Sequence, residues 1–272
     1  METSAASTTA QSIPQSLRDA FAANDVSQFR TILSELPDSG KAAAWDALGC
    51  DAASEDKPVI LALLLPHRPK DGFRPDVPPD GLLACVADSK SPRVCDVVID
   101  AGLDITIPGS YEPDLLEHCI DGSDPTLVKH ILSPQVQART KARLANARYG
   151  DYHPAIVAAR SPEMAQTLID HGAELQGTGV LHRAARDGKL PLMECFLNAG
   201  VDVNENLGPE GEITGAPLHW AAYAGEMDAA KLLLARGAAK TAKDAQGRTP
   251  LDILRVDASQ DESRSEWEKL LS

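Results

Sequence analysis

Ala216-Pro217-Leu218-His219-Trp220-Ala221-Ala222 and Arg248-Thr249-Pro250-Leu251-Asp252-Ile253-Leu254 decide how this chain folds, because their prolines stand 33 residues apart in matching settings. A fixed period near that length marks stacked helical units that cannot bury a core singly. Working outward from the first copy, Pro217 suits the opening turn of a helix, where its missing N–H has no partner to lose. Leu218, Ala221 and Ala222 give a narrow apolar face at helical spacing, and Gly225 permits the chain to turn. A second helix carries Ala229, Ala230, Leu232, Leu233 and Leu234, and Gly237 follows as a left-handed cap.

The same order recurs upstream. Val180-Leu181-His182-Arg183-Ala184-Ala185 leads to Gly188, Phe196-Leu197 and Gly200-Val201-Asp202-Val203-Asn204. His153-Pro154-Ala155-Ile156-Val157-Ala158-Ala159 leads to Leu168-Ile169 and Gly172-Ala173-Glu174-Leu175. Toward the N-terminus the motif fades while the period persists, through Leu115–Leu132, Leu82–Ile105, Val59–Leu65 and an opening helical pair from Leu17 to Leu33. About eight units result, counting a last one that departs at Asp257 and resumes as a capping helix with Trp267, Leu270 and Leu271.

These residues resemble the ankyrin repeat, whose pattern is Thr-Pro-Leu-His-x-Ala-Ala, a glycine, a Leu-Leu pair and Gly-Ala-Asp-Val-Asn. Three clear repeats lie at about 150–243. The resemblance implies an all-α ankyrin-repeat solenoid of helix–turn–helix units with short hairpin loops. It also implies that His182 and His219 tie one repeat to the next through backbone hydrogen bonds rather than serving as ligands or bases. The expected organisation is an N-terminal tail at 1–13, disordered by its Ser/Thr/Ala content, and one repeat domain at 14–272. Insertions are expected at about 66–79, 133–152 and 206–215, with a capping unit at 247–272.

Composition narrows the function. Lys and Arg number 26 against 40 Asp and Glu, a formal charge of −14, which disfavours phosphate backbones and anionic lipid. The five cysteines include no Cys-x-x-Cys pair and read as small buried thiols in a reducing compartment, not disulfides or a metal site. The longest apolar run, Val59–Leu65, is far short of a membrane span, and Met1–Ala5 shows no signal-peptide start. The expectation is a cytoplasmic monomer, with the nucleus as alternative location and no cofactor or metal. The Arg139, Lys141, Arg143 and Arg148 stretch reads either as a solvated segment or as a dock for an acidic partner.

By resemblance, the residues just after each Ala-Ala pair line the inner face, and the residue between His and Ala lies beside them, partly packed. Carried across, these are Arg160, then Arg183, Arg186 and Asp187, then Trp220 and Tyr223, with Asp51, Glu55, Cys85, Asp88, His118 and Asp121 in the weaker units. Trp, Tyr and Arg are the types most enriched where interfaces draw their energy. The plainer alternative is that Trp220 packs between inner helices and the arginines pair with Asp187 or Glu194. The leading function is a non-catalytic adaptor or scaffold whose partner is another protein, held by Arg160, Arg183, Arg186, Asp187, Trp220 and Tyr223. The alternative is a small-molecule or catalytic groove using His118, Asp121, Asp187 and Tyr223.

Overall fold

A computed structural model describes residues 13–68, 81–106, 114–121, 124–140, 148–149, 153–210, 213–254 and 261–272. Among the described residues the fold is all-α apart from two short antiparallel strand pairs, and the chain divides into two compact units, 1–144 and 145–272, each described by itself.

In the first unit the helix pairs are α1 (Gln15–Ala22) with α2 (Val26–Glu35), α3 (Asp38–Ser54) with α4 (Pro58–Leu64), α5 (Leu82–Ser89) with α6 (Pro92–Asp100), and α7 (Leu115–Asp121) with α8 (Pro125–Ile131). A further helix, α9 (Pro134–Thr140), packs on α8. The first members α3, α5 and α7 stack on one another, and the second members α2, α4, α6 and α8 form the other layer. Between the layers Leu17, Phe29, Ile60, Leu61, Leu64, Leu82, Val98, Leu115 and Ile120 are buried. Proline opens α4, α6 and α8, as the missing N–H permits.

The second unit repeats this plan with α10 (Pro162–Asp170), α11 (Val180–Arg186), α12 (Leu190–Asn198), α13 (Pro217–Ala224), α14 (Met227–Ala235) and a closing α15 (Asp261–Leu271). α11 packs on α13 in the inner layer, while α10, α12 and α14 form the outer one. Gly172, Gly200 and Gly237 follow the three outer helices at φ of +86°, +90° and +92°. Open space surrounds each, so the left-handed backbone rather than crowding demands glycine there.

Polar latches join the repeats. His219 is fully buried; its Nδ1 accepts from the Ala216 N–H at 3.2 Å, so its Nε2–H is the donor to the Arg248 carbonyl at 3.1 Å. His182 Nε2 likewise donates to the Glu205 carbonyl at 2.9 Å. The Asn204 side chain reaches the following repeat twice, donating to Gly237 O and accepting from the Ala239 N–H. The carboxylate of Asp244, wholly shielded, accepts from the N–H groups of Gln246 and Arg248 and from Arg248 Nε.

Two expectations are corrected here. The segment after Pro154 is not an α-helix but a 3₁₀ helix, Ala155–Ala158. Eight positions separate Pro154 from Pro162, against ten from Val180 to Leu190 and ten from Pro217 to Met227, so two residues are missing and a full inner helix cannot form. The inner helix of the last unit is likewise reduced to turns at 250–253, after which α15 buries Trp267. The 206–215 insertion contains an antiparallel hairpin of β3 (Leu207–Glu210) and β4 (Ile213–Gly215). Shorter still is the pairing of β1 (Arg148–Tyr149) with β2 (His153–Pro154). The proline-rich stretch 69–80 and residues 141–147 and 150–152 lie outside the described residues.

Candidate functional site

Shortening the inner helix has a direct consequence beside it. Where a full helix would lie against α11, a cleft of about 300 Å³ opens between the 3₁₀ helix, α11 and α12. Its floor is apolar, made by Ile156, Val180, Ala184, Leu192 and Phe196, each buried. Its rim is cationic: Arg160, Arg183, Arg186 and Lys189 line it against one anion, Asp187. Glu226 stands at the margin, over Gly188. This concentration of positive charge stands out in a chain of net charge −14.

Arg186 is held by its surroundings. Arg186 Nε donates to Asp187 Oδ1 at 2.9 Å, and its guanidinium carbon sits 5.8 Å from the Trp220 ring centroid, within cation–π range. Side-chain exposure of 40% and 42% leaves this Arg186–Asp187 pair half in solvent, so it orients the guanidinium more than it stabilises the fold. Arg183, on the same helix, is half-buried, and Arg160 is exposed at the end of the shortened segment.

Trp220 follows the plainer alternative and packs between the inner helices. It is 3% exposed and meets His182 edge-on, ring centroids 5.7 Å apart, in the seam between α11 and α13. Among the described residues its buried indole N–H has no hydrogen-bond partner. Tyr223, one turn on, is half-buried. Four of the six expected contact residues, Arg160, Arg183, Arg186 and Asp187, therefore share one cleft, while Trp220 supports it from below and Tyr223 lies outside its lining. The floor residues and Lys189 escaped sequence reasoning. Their signal was the two-residue deficit before Pro162.

The alternative catalytic set is divided: His118 and Asp121 belong to α7 of the first unit, Asp187 and Tyr223 to the second. The cleft is lined by the second unit alone. The Asp121 side chain lies outside the described residues, and among those described the buried His118 Nε2 has no hydrogen-bond partner.

On the inner helices of the first unit, the Cys85 thiol hydrogen-bonds Cys50, with Asp88 and Asp51 near. Burial first, then Cys50 and the two carboxylates, pushes Cys85 up to about 12, which disfavours a nucleophilic thiolate. All five cysteines are free thiols. Within the expected basic segment, Arg139 binds the carboxylates of Asp96 and Asp100 on α6 at 2.5 Å each, so that charge is already answered inside the unit. No helix among the described residues is long and apolar enough to cross a membrane.

Comparison with known proteins places this geometry. Residues 181–254 match the family described as ankyrin repeats (3 copies). A stretch of 75 residues is 40% identical to the Caenorhabditis elegans transient receptor potential cation channel subfamily A member 1 homolog, covering 27% of this chain and 6% of that protein. Among solved structures, the ankyrin repeat domain of Bcl-3, described as a unique member of the IkappaB protein family, is similar over 81% of this chain and 97% of its own, with TM-score 0.62 and 18% identity. The human ASB11 ankyrin repeat domain is similar over 80% and 96%, with TM-score 0.57 and 15% identity. At those identities the likeness is one of fold.

Proposed function

From the ankyrin repeats matched at residues 181–254 and the ankyrin-repeat fold we propose that this chain is a non-catalytic, cytoplasmic interaction module, an adaptor or scaffold that grips another protein by the inner-helix face of its second unit. Ankyrin repeats in general mediate contacts between proteins. The observation that carries the reading is the cleft beside α11, where Arg160, Arg183, Arg186 and Asp187 converge over an apolar floor. Apolar area supplies binding energy, and oriented guanidinium groups supply specificity and faster association. Tyr223 extends the contact along α13.

Size argues against the small-molecule alternative. About 300 Å³ sits at the lower bound of ligand pockets, too small to enclose most of a cofactor-sized molecule. A side chain or two from a partner would fill it.

The test compares the partners captured by the parent chain with those captured by Arg183→Glu, by Tyr223→Ala and by Lys231→Glu on the outer helix α14. The reading expects both inner-face variants to lose the same partner while Lys231→Glu keeps it. An identical partner set from all four proteins sinks it.

A further inference from the structure

We infer that the cleft beneath the shortened repeat is a docking site for a peptide segment of the partner that presents an acidic side chain next to a bulky apolar one. This rests on the interaction-module reading and deepens it, because it names what the inner face recognises. Three observations carry it. First, the cleft exists because of a local departure from the repeat: with eight positions rather than ten between Pro154 and Pro162, the chain leaves the volume of a helical turn empty against α11 and α12. The repeat at Val180–Asn198 has its full inner helix, as does the repeat at Pro217–Ala235.

Second, the lining is layered. Phe196, Leu192 and Ile156 are 2%, 5% and 0% exposed and form a floor with no charge, while Arg160 and Lys189 are exposed at the edge and Arg183 and Arg186 are half-buried, with Arg183 Nε shielded. A ligand that only carried charge would leave the floor wetted, and one that was only apolar would draw the charged side chains out of water with no compensating anion of its own. An acidic residue beside a Phe or Leu satisfies both layers, since the carboxylate can meet a planar guanidinium at two points. Third, one guanidinium of the site, that of Arg186, is oriented before any ligand arrives. Arg186 is steadied by Asp187 Oδ1 on one side and by the face of Trp220 on the other, so less side-chain freedom is lost on binding. A polyanionic nucleic acid fits poorly: it would bring many phosphates to four cations on an otherwise acidic chain.

The experiment uses the full chain with isotope-labelled methyl groups and follows Val180, Ala184 and Leu192 by NMR during titration. The probes are the blocked tetrapeptides Gly-Glu-Phe-Gly, Gly-Lys-Phe-Gly and Gly-Glu-Ser-Gly, and succinate as a free carboxylate. The Glu-Phe peptide is expected to shift those methyls saturably. Replacing its Glu by Lys, or its Phe by Ser, is expected to weaken binding about tenfold or more, since either change forfeits one layer of the site. Ala158→Leu, which fills the cleft from a half-buried position on the 3₁₀ helix, should abolish the shifts and leave the remaining spectrum in place. Equal binding of the Lys-Phe peptide, shifts confined to other methyls, or equal shifts with succinate would each overturn the assignment, the last by showing a free-anion site.

If Ala158→Leu keeps the cellular partner while Arg183→Glu and Tyr223→Ala lose it, the cleft assignment fails and the interaction module stands. If none of the three loses it, both fail.

Discussion

Trp220→Ala tests whether the ring seals the α11–α13 seam or waits on the surface for a partner. The side chain is 3% exposed, packs against His182 at 5.7 Å between centroids, and lies beneath the Arg186 guanidinium. Truncating a buried Trp to Ala removes its transfer free energy and leaves a cavity that neighbours fill only in part, a cost of about 3–5 kcal/mol. The inner helices here are only seven and eight residues long, so they have little intrinsic stability to compensate. For a chain of this size that cost corresponds to a fall of roughly 10 °C in Tm. Trp220→Phe should cost far less, about 1 kcal/mol, because most ring area remains and the lost indole N–H has no partner among the described residues. Urea and thermal melts followed by circular dichroism measure both variants. A Trp220→Ala protein melting within about 1 °C of the parent would refute the reasoning and return Trp220 to the surface.

Other consequences follow from the same geometry. Asp244→Asn should destabilise by about 1–3 kcal/mol, since the new amide N–H₂ faces the Arg248 donor at a fully shielded position, which urea melts at neutral pH would show. Burial pushes the Asp244 carboxyl up, but the Arg248 and Gln246 hydrogen bonds outweigh it and hold it below its ordinary value of 3.8. A depressed carboxyl stabilises above its unfolded value and loses that contribution as pH falls through the folded one, so melts below pH 4 should steepen in the parent and flatten in Asp244→Asn. Burial, then Asp96, pushes the Cys95 thiol up to about 12 from 9.0, with Arg139 opposing. Its protonated form therefore stabilises the fold below pH 9, and that contribution drains away between pH 9 and 12, a loss that Cys95→Ala should reduce in alkaline melts. Arg139→Glu, which sets a carboxylate against Asp96 and Asp100, should lower stability by about 1 kcal/mol without altering the partner set.

Much of this was legible in the sequence because repeats write their geometry in register. Pro217, Leu218 and His219 give a helix start, a core contact and a latch, and each recurs or has an equivalent one period away. What the sequence did not disclose depended on which way a side chain faces or on partners distant along the chain. Trp220 stands between a buried His and a buried Ala, and only the separation of α11 from α13 decides that its ring enters the seam. Arg139 looked like part of a free basic patch until packing brought Asp96 and Asp100, 43 and 39 positions away, against it. The cleft lay between these cases. The shortfall before Pro162 was countable, but the floor of Leu192 and Phe196 comes from the next repeat and needed the fold to assemble it.

The central claim is that the inner face of the second unit is where a partner protein sits. Photo-crosslinking inside the native cell tests it most directly, with benzoylphenylalanine placed singly at Lys189 on the cleft rim, at Tyr223 on α13, and at Lys231 on the outer helix α14. The account predicts one shared polypeptide adduct from Lys189 and Tyr223 and none from Lys231. Adducts formed from Lys231 alone, with both inner positions silent, would contradict it.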